Sequence, residues 1–374
     1  MSTPPPALPV RPVSDFDPRP VEWLWPGRLA LGKLALLDGD PSMGKSLITL
    51  DLCARLSAGQ PWPDGAPAPG SGPSLVIGAE DNAHDTLRPR LQALGADLAR
   101  VFSPDGDDPL AAAPLRLPSG TAALDAAVAR TGARLVVLDP LATFLDPGVC
   151  TYYEPSVRRA LEPVARLAEA RRCAVLFVRH LNKLRGGRAL YRGGGSIALV
   201  AVCRSAWLVA ADPEAPARRV LAQVKNNLAP PQPSLAYEIR TADGAPPAVA
   251  WLGPSPKTAD DLLAARGPGP AATAQDEARD FLAAALADGP LTSAELWERA
   301  REAGISDRTL YRARGPLEVR IIRRFRDRRP VNYWLLRHQE LPADAPHDPE
   351  IDAIDESLRR MAEEFPPANP LDEL

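Results

Sequence analysis

Gly39-Asp-Pro-Ser-Met-Gly-Lys-Ser46 has the form G-x-x-x-x-G-K-[ST], and its flanks decide how it is read. Lys33-Leu-Ala-Leu-Leu37 before it reads as a short buried strand, and Leu47-Ile-Thr-Leu-Asp-Leu-Cys-Ala-Arg-Leu-Ser57 after it reads as a helix. In a strand–loop–helix setting, backbone N–H groups wrap nucleotide phosphates, aided by the positive end of the helix dipole. Lys45 is expected to reach the β- and γ-phosphates, and the Ser46 hydroxyl to bind Mg²⁺. Gly39 and Gly44 supply backbone conformations and close approaches that a side chain would obstruct. The expected cradle is Gly39, Asp40, Pro41, Ser42, Met43, Gly44, Lys45, Ser46 and Leu47, and its expected ligand is a nucleoside triphosphate.

A chain of 374 residues is long enough for one large domain and a smaller one. At 45% hydrophobic and 24% charged it has the composition of a soluble globular protein. No apolar run approaches the ~20 residues of a membrane span, and no signal peptide is read at the start. Cys53, Cys150, Cys173 and Cys203 lie far apart with no C-x-x-C pair. They read as buried apolar groups of a cytoplasmic protein rather than a zinc site or a disulfide frame.

The net charge of −3 hides an asymmetry. Residues 299–337 hold twelve arginines against four acids, a local balance of +8. Residues 340–374 hold eleven acids against two arginines, a balance of −9. A basic block followed by an acidic tail is the pattern of a nucleic-acid binder with a solvating or self-masking extension.

Seven prolines make residues 1–20 an extended arm. Over 21–240, strand candidates Leu34–Leu37, Ser74–Ile77, Arg134–Leu138, Ala174–Val178, Ser205–Ala210 and Arg219–Val224 recur. Helical stretches such as Ala123–Arg130 and Pro155–Arg171 lie between several of them. This α/β alternation predicts a doubly wound, mainly parallel sheet with the phosphate loop at the carboxyl ends of its strands. Pro61–Gly72 and Asp105–Pro118 read as surface loops, and residues 241–270 as a linker. Residues 271–339 follow the order helix–helix–helix–hairpin: Gln275–Ala287, Thr292–Ala303, Ser306–Leu317, then Val319–Arg324 and Val331–Leu336. That is the order of a winged helix-turn-helix. Thr292 or Ser293 would cap its second helix and Ser306 or Asp307 its third. Residues 340–374 read as a disordered acidic tail, with one candidate amphipathic helix over Glu350–Glu364.

Three polar residues at strand tips complete the chemical pattern. Asp139 closes Arg134-Leu-Val-Val-Leu-Asp139 and is the expected second Mg²⁺ anchor. Glu80 follows Ser74-Leu-Val-Ile-Gly-Ala, on a strand expected beside the loop strand, where it could orient and deprotonate the attacking water. Asp81 competes for that role. His180 closes Ala174-Val-Leu-Phe-Val-Arg-His180, positioned to hydrogen-bond a γ-phosphate, or else a satisfied structural histidine. After it comes Leu184-Arg-Gly-Gly-Arg-Ala-Leu-Tyr-Arg-Gly-Gly-Gly-Ser196, a basic glycine-rich run. Its Arg185, Arg188 and Arg192 suit nucleic-acid phosphates, with Tyr191 stacking a base; the alternative is an ordinary lid.

In order, Gly39–Ser46, Glu80-Asp81, Asp139, His180-x-Asn182-Lys183 and Arg192-Gly-Gly-Gly-Ser196 resemble the RecA-like ring ATPases, especially the branch of the plasmid replication helicase RepA. Val21-Glu-Trp-Leu-Trp-Pro-Gly-Arg-Leu-Ala-Leu-Gly32 is similar to that branch's lead-in. The resemblance implies a RecA-like P-loop NTPase core that binds ATP and Mg²⁺ between subunits of a homo-oligomeric ring, a hexamer being favoured. It implies Glu80 as catalytic base, Lys45 and Ser46 as phosphate and Mg²⁺ ligands, Asp139 as second acid and His180 as sensor. It also implies a cation supplied in trans, with Arg204, placed in the helix after the glycine run, and Lys225 as candidates. Many members of that family carry a second basic residue two positions after such a lysine, where this chain has Asn227.

The C-terminal segment resembles winged helix domains that follow this core in phage- and plasmid-type proteins. Arg308, Arg312 and Arg314 would then lie on the recognition helix, with Thr309 and Tyr311 on the same exposed side. Arg323, Arg324, Arg326, Arg328 and Arg329 would form the wing. Three functions fit these features. The first is an ATP-driven, DNA-associated helicase or loader in replication of a mobile element. The second is a nucleotide-switched DNA-binding regulator without unwinding activity. The third is a recombination or defence ATPase on the same core.

Overall fold

The structure is a computed structural model that describes residues 10–104, 114–146, 149, 154–180, 197–242, 244–264, 274–286, 289–326, 329–337, 339–342 and 345–346. The chain enters through a small hairpin, β1 (Trp23–Trp25) and β2 (Leu29–Ala30). Then come β3 (Leu34–Gly39), α1 (Lys45–Ala58), β4 (Ser74–Gly78), α2 (Arg88–Ala93) and β5 (Val101–Phe102). Two strand–helix pairs follow: α3 (Thr121–Thr131), β6 (Leu135–Asp139), α4 (Glu154–Arg171) and β7 (Ala174–His180). After α5 (Ile197–Val202), the strands β8 (Ser205–Asp212), β9 (Ala215–Asn226), β10 (Ser234–Arg240) and β11 (Ala248–Ser255) run up and down, and α6 (Ala259–Ala264) closes the unit.

Nine of these strands form one sheet in the order β11-β10-β9-β8-β3-β7-β6-β4-β5. From β8 to β5 all neighbours are parallel; β9, β10 and β11 extend the sheet antiparallel. The leucine- and valine-rich strands are buried on both faces, as a covered parallel sheet requires. On one face α1 and α2 cover Leu37, Val76, Val178 and Val209. On the other, α3, α4 and α5 cover Leu36, Val136, Phe177 and Ala206. A large, mostly parallel sheet between helical layers fits a RecA-like P-loop core.

Three expectations change. β11 and α6 occupy residues read as linker; an edge strand tolerates the Gly253 and Pro254 that suggested one. β4 does not neighbour β3: β7 and β6 lie between them. And 61–72 is not simply a surface loop, because Trp62 is buried and stacks on Trp25 with ring centroids 5.5 Å apart. Beside that stack the Arg28 guanidinium lies between the Trp25 and Trp207 rings, 5.0 and 4.9 Å from their centroids, and pairs with Asp64 at 2.9 Å.

The C-terminal unit has its own core. It contains α7 (Ala274–Ala285), β12 (Leu291–Thr292), α8 (Ser293–Glu302), α9 (Asp307–Ala313), β13 (Arg320–Arg326) and β14 (Arg329–Leu335), with sheet order β12-β14-β13. Leu282, Leu296, Leu310 and Trp334 pack at its centre. Thr292 caps α8 in a reciprocal capping box with Glu295, and Ser306 caps α9. Ser293 instead accepts the Trp334 indole N–H at 2.9 Å. The candidate helix at 350–364 lies outside the described residues.

Among the described residues no helix is long and apolar enough to cross a membrane. Cys53, Cys173 and Cys203 are free and buried, and burial pushes their thiols up to about 12, 11 and 12. They are therefore inert apolar groups. Cys150 lies outside the described residues.

Candidate nucleotide site

The first turn of α1 has N–H groups with no intrahelical partner, and no side chain caps them. The residue at the cap is Gly44, in the left-handed region at φ +87°. Two contacts explain the glycines. A Cβ on Gly39 would stand 2.3 Å from Val209 Cγ2, and one on Gly44 2.8 Å from Ile239 Cδ1. The loop thus lies flat against β8 and β10, and its donors face an open cavity of about 400 Å³. Pro41, Ser42, Gly44, Lys45, Ser46 and Leu47 line that cavity on the loop side. Gly39 and Asp40 contribute backbone: the Lys45 ammonium donates to their carbonyls at 2.8 and 2.7 Å. Only 4% exposed, Lys45 is held below the ordinary lysine range by burial, opposed by the nearby carboxylates led by Asp139. A buried cation whose partners are neutral carbonyls is poised to exchange them for phosphate oxygens.

Asp139, Glu80 and His180 all line the same cavity, although Asp139 and His180 end β6 and β7 and Glu80 follows β4. His180 stands level with Gly39, since β7 is in register with β3 at that pair. Asp139 lies one strand further out, and burial raises its carboxyl above the ordinary range, against a hydrogen bond from Ser46 and the charge of Lys45. Glu80 reaches the cavity although β4 is third from β3, because the chain turns inward after the strand; Ala79 N–H bonds the Asp139 carbonyl at 3.0 Å. Asp81 is bound to Arg90 of α2 at 2.7 Å, whereas Glu80 is exposed and no described side chain bonds it. The two acids that sequence alone left in competition thus have different surroundings.

The Ser46 hydroxyl and the Asp139 carboxylate are hard oxygen donors held together, which fits Mg²⁺. Among the described residues no group of three or more His, Cys, Asp or Glu is placed to hold a metal ion, so phosphate oxygens and water would complete any coordination here.

The two candidates for a trans-acting cation sit elsewhere. Arg204 follows α5 rather than lying within it, and its N–H bonds the Leu34 carbonyl at the amino end of β3. Lys225, opposite Ala206, donates to the carbonyls of Val200, Ala201 and Cys203 at 2.8, 3.1 and 2.9 Å. Both therefore lie toward the amino end of β3, away from their own phosphate loop: counted along β8 to Val209, which is level with Gly39, Arg204 is five residues off and Lys225, opposite Ala206, three, roughly 17 and 10 Å. The Lys225 ammonium closes the end of α5. Arg185, Arg188, Arg192, Asn182, Lys183 and Tyr191 lie outside the described residues, as do Arg328 and the side chain of Arg326.

On the C-terminal unit Arg308, Arg312 and Arg314 are exposed on and just after α9. Arg314 stands over the Tyr311 ring at 5.5 Å, and that ring meets Trp334 edge-on at 5.0 Å. Arg323, Arg324 and Arg329 follow on the β13–β14 hairpin, with Arg323 and Arg329 exposed.

Sequence reasoning missed Arg90, Tyr237 and the Asp38–Arg179 pair. Arg90 carried only its helical position ten residues after Glu80. The Tyr237 hydroxyl donates to the Met43 carbonyl of the loop at 2.6 Å, and no local pattern announces such a contact.

Fold and cavity together define a P-loop nucleotide-binding protein. Residues 3–186 match the family described as the AAA domain, which supports an AAA-type P-loop ATPase. No curated protein matches the chain.

Proposed function

We propose that this protein binds and hydrolyses ATP and couples that cycle to DNA, as a ring-forming helicase or loader of the RepA type acting in replication of a mobile element. The observation that carries the ATPase part is the convergence of Lys45, Ser46, Glu80, Asp139 and His180 on one cavity above uncapped helix N–H groups. In this reading the loop N–H groups and Lys45 hold the β- and γ-phosphates. Bound Mg²⁺, held by Ser46 and through water by Asp139, would supply charge neutralisation at those phosphates. Glu80 orients a water in line with the γ-phosphate and accepts its proton, while His180 hydrogen-bonds the γ-phosphate oxygens. Arg90 keeps Asp81 out of that role.

DNA association is supported by the basic surface of the C-terminal unit. We read its three helices and β12-β14-β13 sheet as a winged helix-turn-helix, with α9 as recognition helix and the β13–β14 hairpin as wing. Assembly into a ring would bring Arg204 of one subunit toward its neighbour's nucleotide. The test is steady-state phosphate release with and without single-stranded DNA, alongside Lys45→Ala and mass photometry. Stimulation of several-fold, lost in Lys45→Ala, supports the motor. Turnover indifferent to any nucleic acid favours a nucleotide-switched regulator. ATP affinity retained in Lys45→Ala would refute the site itself.

A further inference from the structure

The phosphate loop is held from behind by a part of the sheet that the nucleotide chemistry does not use. β10 belongs to the antiparallel extension, yet Tyr237 on it is fully buried and its hydroxyl donates to the Met43 carbonyl at 2.6 Å. One contact further along the same strand, the Ile239 side chain blocks the space a Cβ on Gly44 would need. Trp251 on β11 completes the support. Its ring lies 5.4 Å from that of Tyr237, and its indole N–H bonds Asp51 of α1 at 2.8 Å. That bond fastens β11 to the helix that starts at the loop, and Arg55, one turn further along the helix, pairs with Asp51 at 2.8 Å.

A peptide unit is planar and trans, so its C=O and the following N–H point in opposite directions. A hydrogen bond that fixes the Met43 carbonyl toward Tyr237 therefore turns the Gly44 N–H away from β10, on the side where the cavity lies. Gly44 has a positive φ and no side chain to restrain it, so without an external anchor this peptide has several orientations within reach. Nucleotide binding would then have to select one of them, and affinity falls by the fraction of molecules that hold it.

We infer that Tyr237 is a positioning residue for nucleotide binding: its bond to the Met43 carbonyl, backed by Ile239 and Trp251, presets the phosphate loop in its anion-receiving form. The inference rests on the reading of the cavity as a nucleotide site. It assigns to the antiparallel rim the task of organising the loop before ligand arrives, rather than contacting the ligand.

Tyr237→Phe in the full-length chain removes the hydroxyl and keeps the ring on Trp251. Titration calorimetry with Mg-ADP and Mg-ATP is expected to give a dissociation constant about tenfold weaker for both, the scale of one lost hydrogen bond. Because the loop is set before chemistry, KM should rise with it while kcat stays within about twofold. The nucleotide-free melting temperature should fall by only a few degrees. Nucleotide affinity within twofold of wild type, whatever happens to the melting temperature, would overturn the inference and leave Tyr237 a packing residue. Ile239→Ala keeps the hydrogen bond and removes the wall behind Gly44. It is expected to weaken binding about threefold, and unchanged affinity there counts against the inference even if Tyr237→Phe does not fold. Lys45→Ala separates the two levels. Undiminished affinity in that variant defeats the nucleotide reading, whereas lost affinity there with normal affinity in Tyr237→Phe defeats this inference alone.

Discussion

Arg179 grips Asp38 with two parallel hydrogen bonds, Nε to Oδ1 at 2.7 Å and Nη2 to Oδ2 at 2.5 Å, across the adjacent strands β7 and β3. Both side chains are about 5% exposed. The next residue on each strand faces the nucleotide cavity or its loop: His180 after Arg179, Gly39 after Asp38. A buried ion pair adds little net stability when intact, but removal of one partner leaves an uncompensated charge in a poor solvent. Arg179→Met is therefore expected to destabilise the protein by about 3–5 kcal/mol in urea unfolding. Asp38→Leu combined with Arg179→Met should recover most of that loss. A single variant as stable as wild type would show that the pair is not a constraint on the two strand ends.

The two neighbouring acids should differ sharply in kinetics. Asp81 is already engaged by Arg90, while Glu80 faces the cavity without a described partner. Glu80→Gln is expected to bind ATP normally and to hydrolyse it ~10²–10⁴ times more slowly, the usual contribution of a positioned general base. Asp81→Asn should retain turnover within about an order of magnitude. Stopped-flow phosphate release on the two variants decides it, and the reverse ranking would move the base to Asp81.

The phosphate loop was legible because its chemistry demands fixed residue types at fixed spacing. The long parallel strands were legible because burial on both faces forces unbroken runs such as Leu135-Val-Val-Leu138. β5, with two residues, is too short to show any period. β11 was hidden for a different reason: its edge position admits Gly253, Pro254 and a partly exposed face, which imitate a linker. Strand order escaped as well. Asp38 and Arg179 are 141 residues apart, and nothing local states that their strands are neighbours. The same blindness put Glu80 on a strand beside β3, when only the inward turn after β4 brings it to the cavity.

Asp139 predicts a conflict between stability and function. Burial holds its carboxyl above the ordinary range, so the folded nucleotide-free protein binds that proton more tightly than the unfolded chain does. Its charged form consequently works against folding: this contribution to stability declines as pH rises through the interval above the ordinary carboxyl value. Asp139→Asn should melt higher than wild type at pH 7 without nucleotide, and should lose Mg²⁺-dependent hydrolysis. Differential scanning calorimetry with a parallel turnover assay checks both, and a lower melting temperature would mean that Lys45 and Ser46 outweigh desolvation.

Glu295 has the opposite sign. Hydrogen bonds from the Thr292 hydroxyl and backbone N–H hold its carboxyl below the ordinary glutamate range. A lowered folded-state value gives stability that is complete above the unfolded value and is lost as pH falls through the folded one. Glu295→Ala should cost the C-terminal unit about 1 kcal/mol at neutral pH, with the deficit vanishing in acid. Amide exchange of α8 as a function of pH measures it, and a deficit independent of pH would assign the effect to lost side-chain contacts rather than to the carboxylate.

Salt dependence offers the sharpest view of the C-terminal surface. Each phosphate contact that releases a condensed counterion steepens the fall of log affinity with log salt by about 0.9 on duplex DNA. Arg308, Arg312 and Arg314 lie exposed together on and beside α9, so replacing all three by alanine removes at most three such contacts. The slope should become shallower by up to about 2.7, with duplex affinity falling at low salt and ATP turnover without DNA unchanged. Fluorescence anisotropy over a range of salt concentrations reads the slope directly. A variant with the wild-type slope would remove α9 from the proposed DNA surface and leave the β13–β14 hairpin, through Arg323, Arg324 and Arg329, as its remaining candidate.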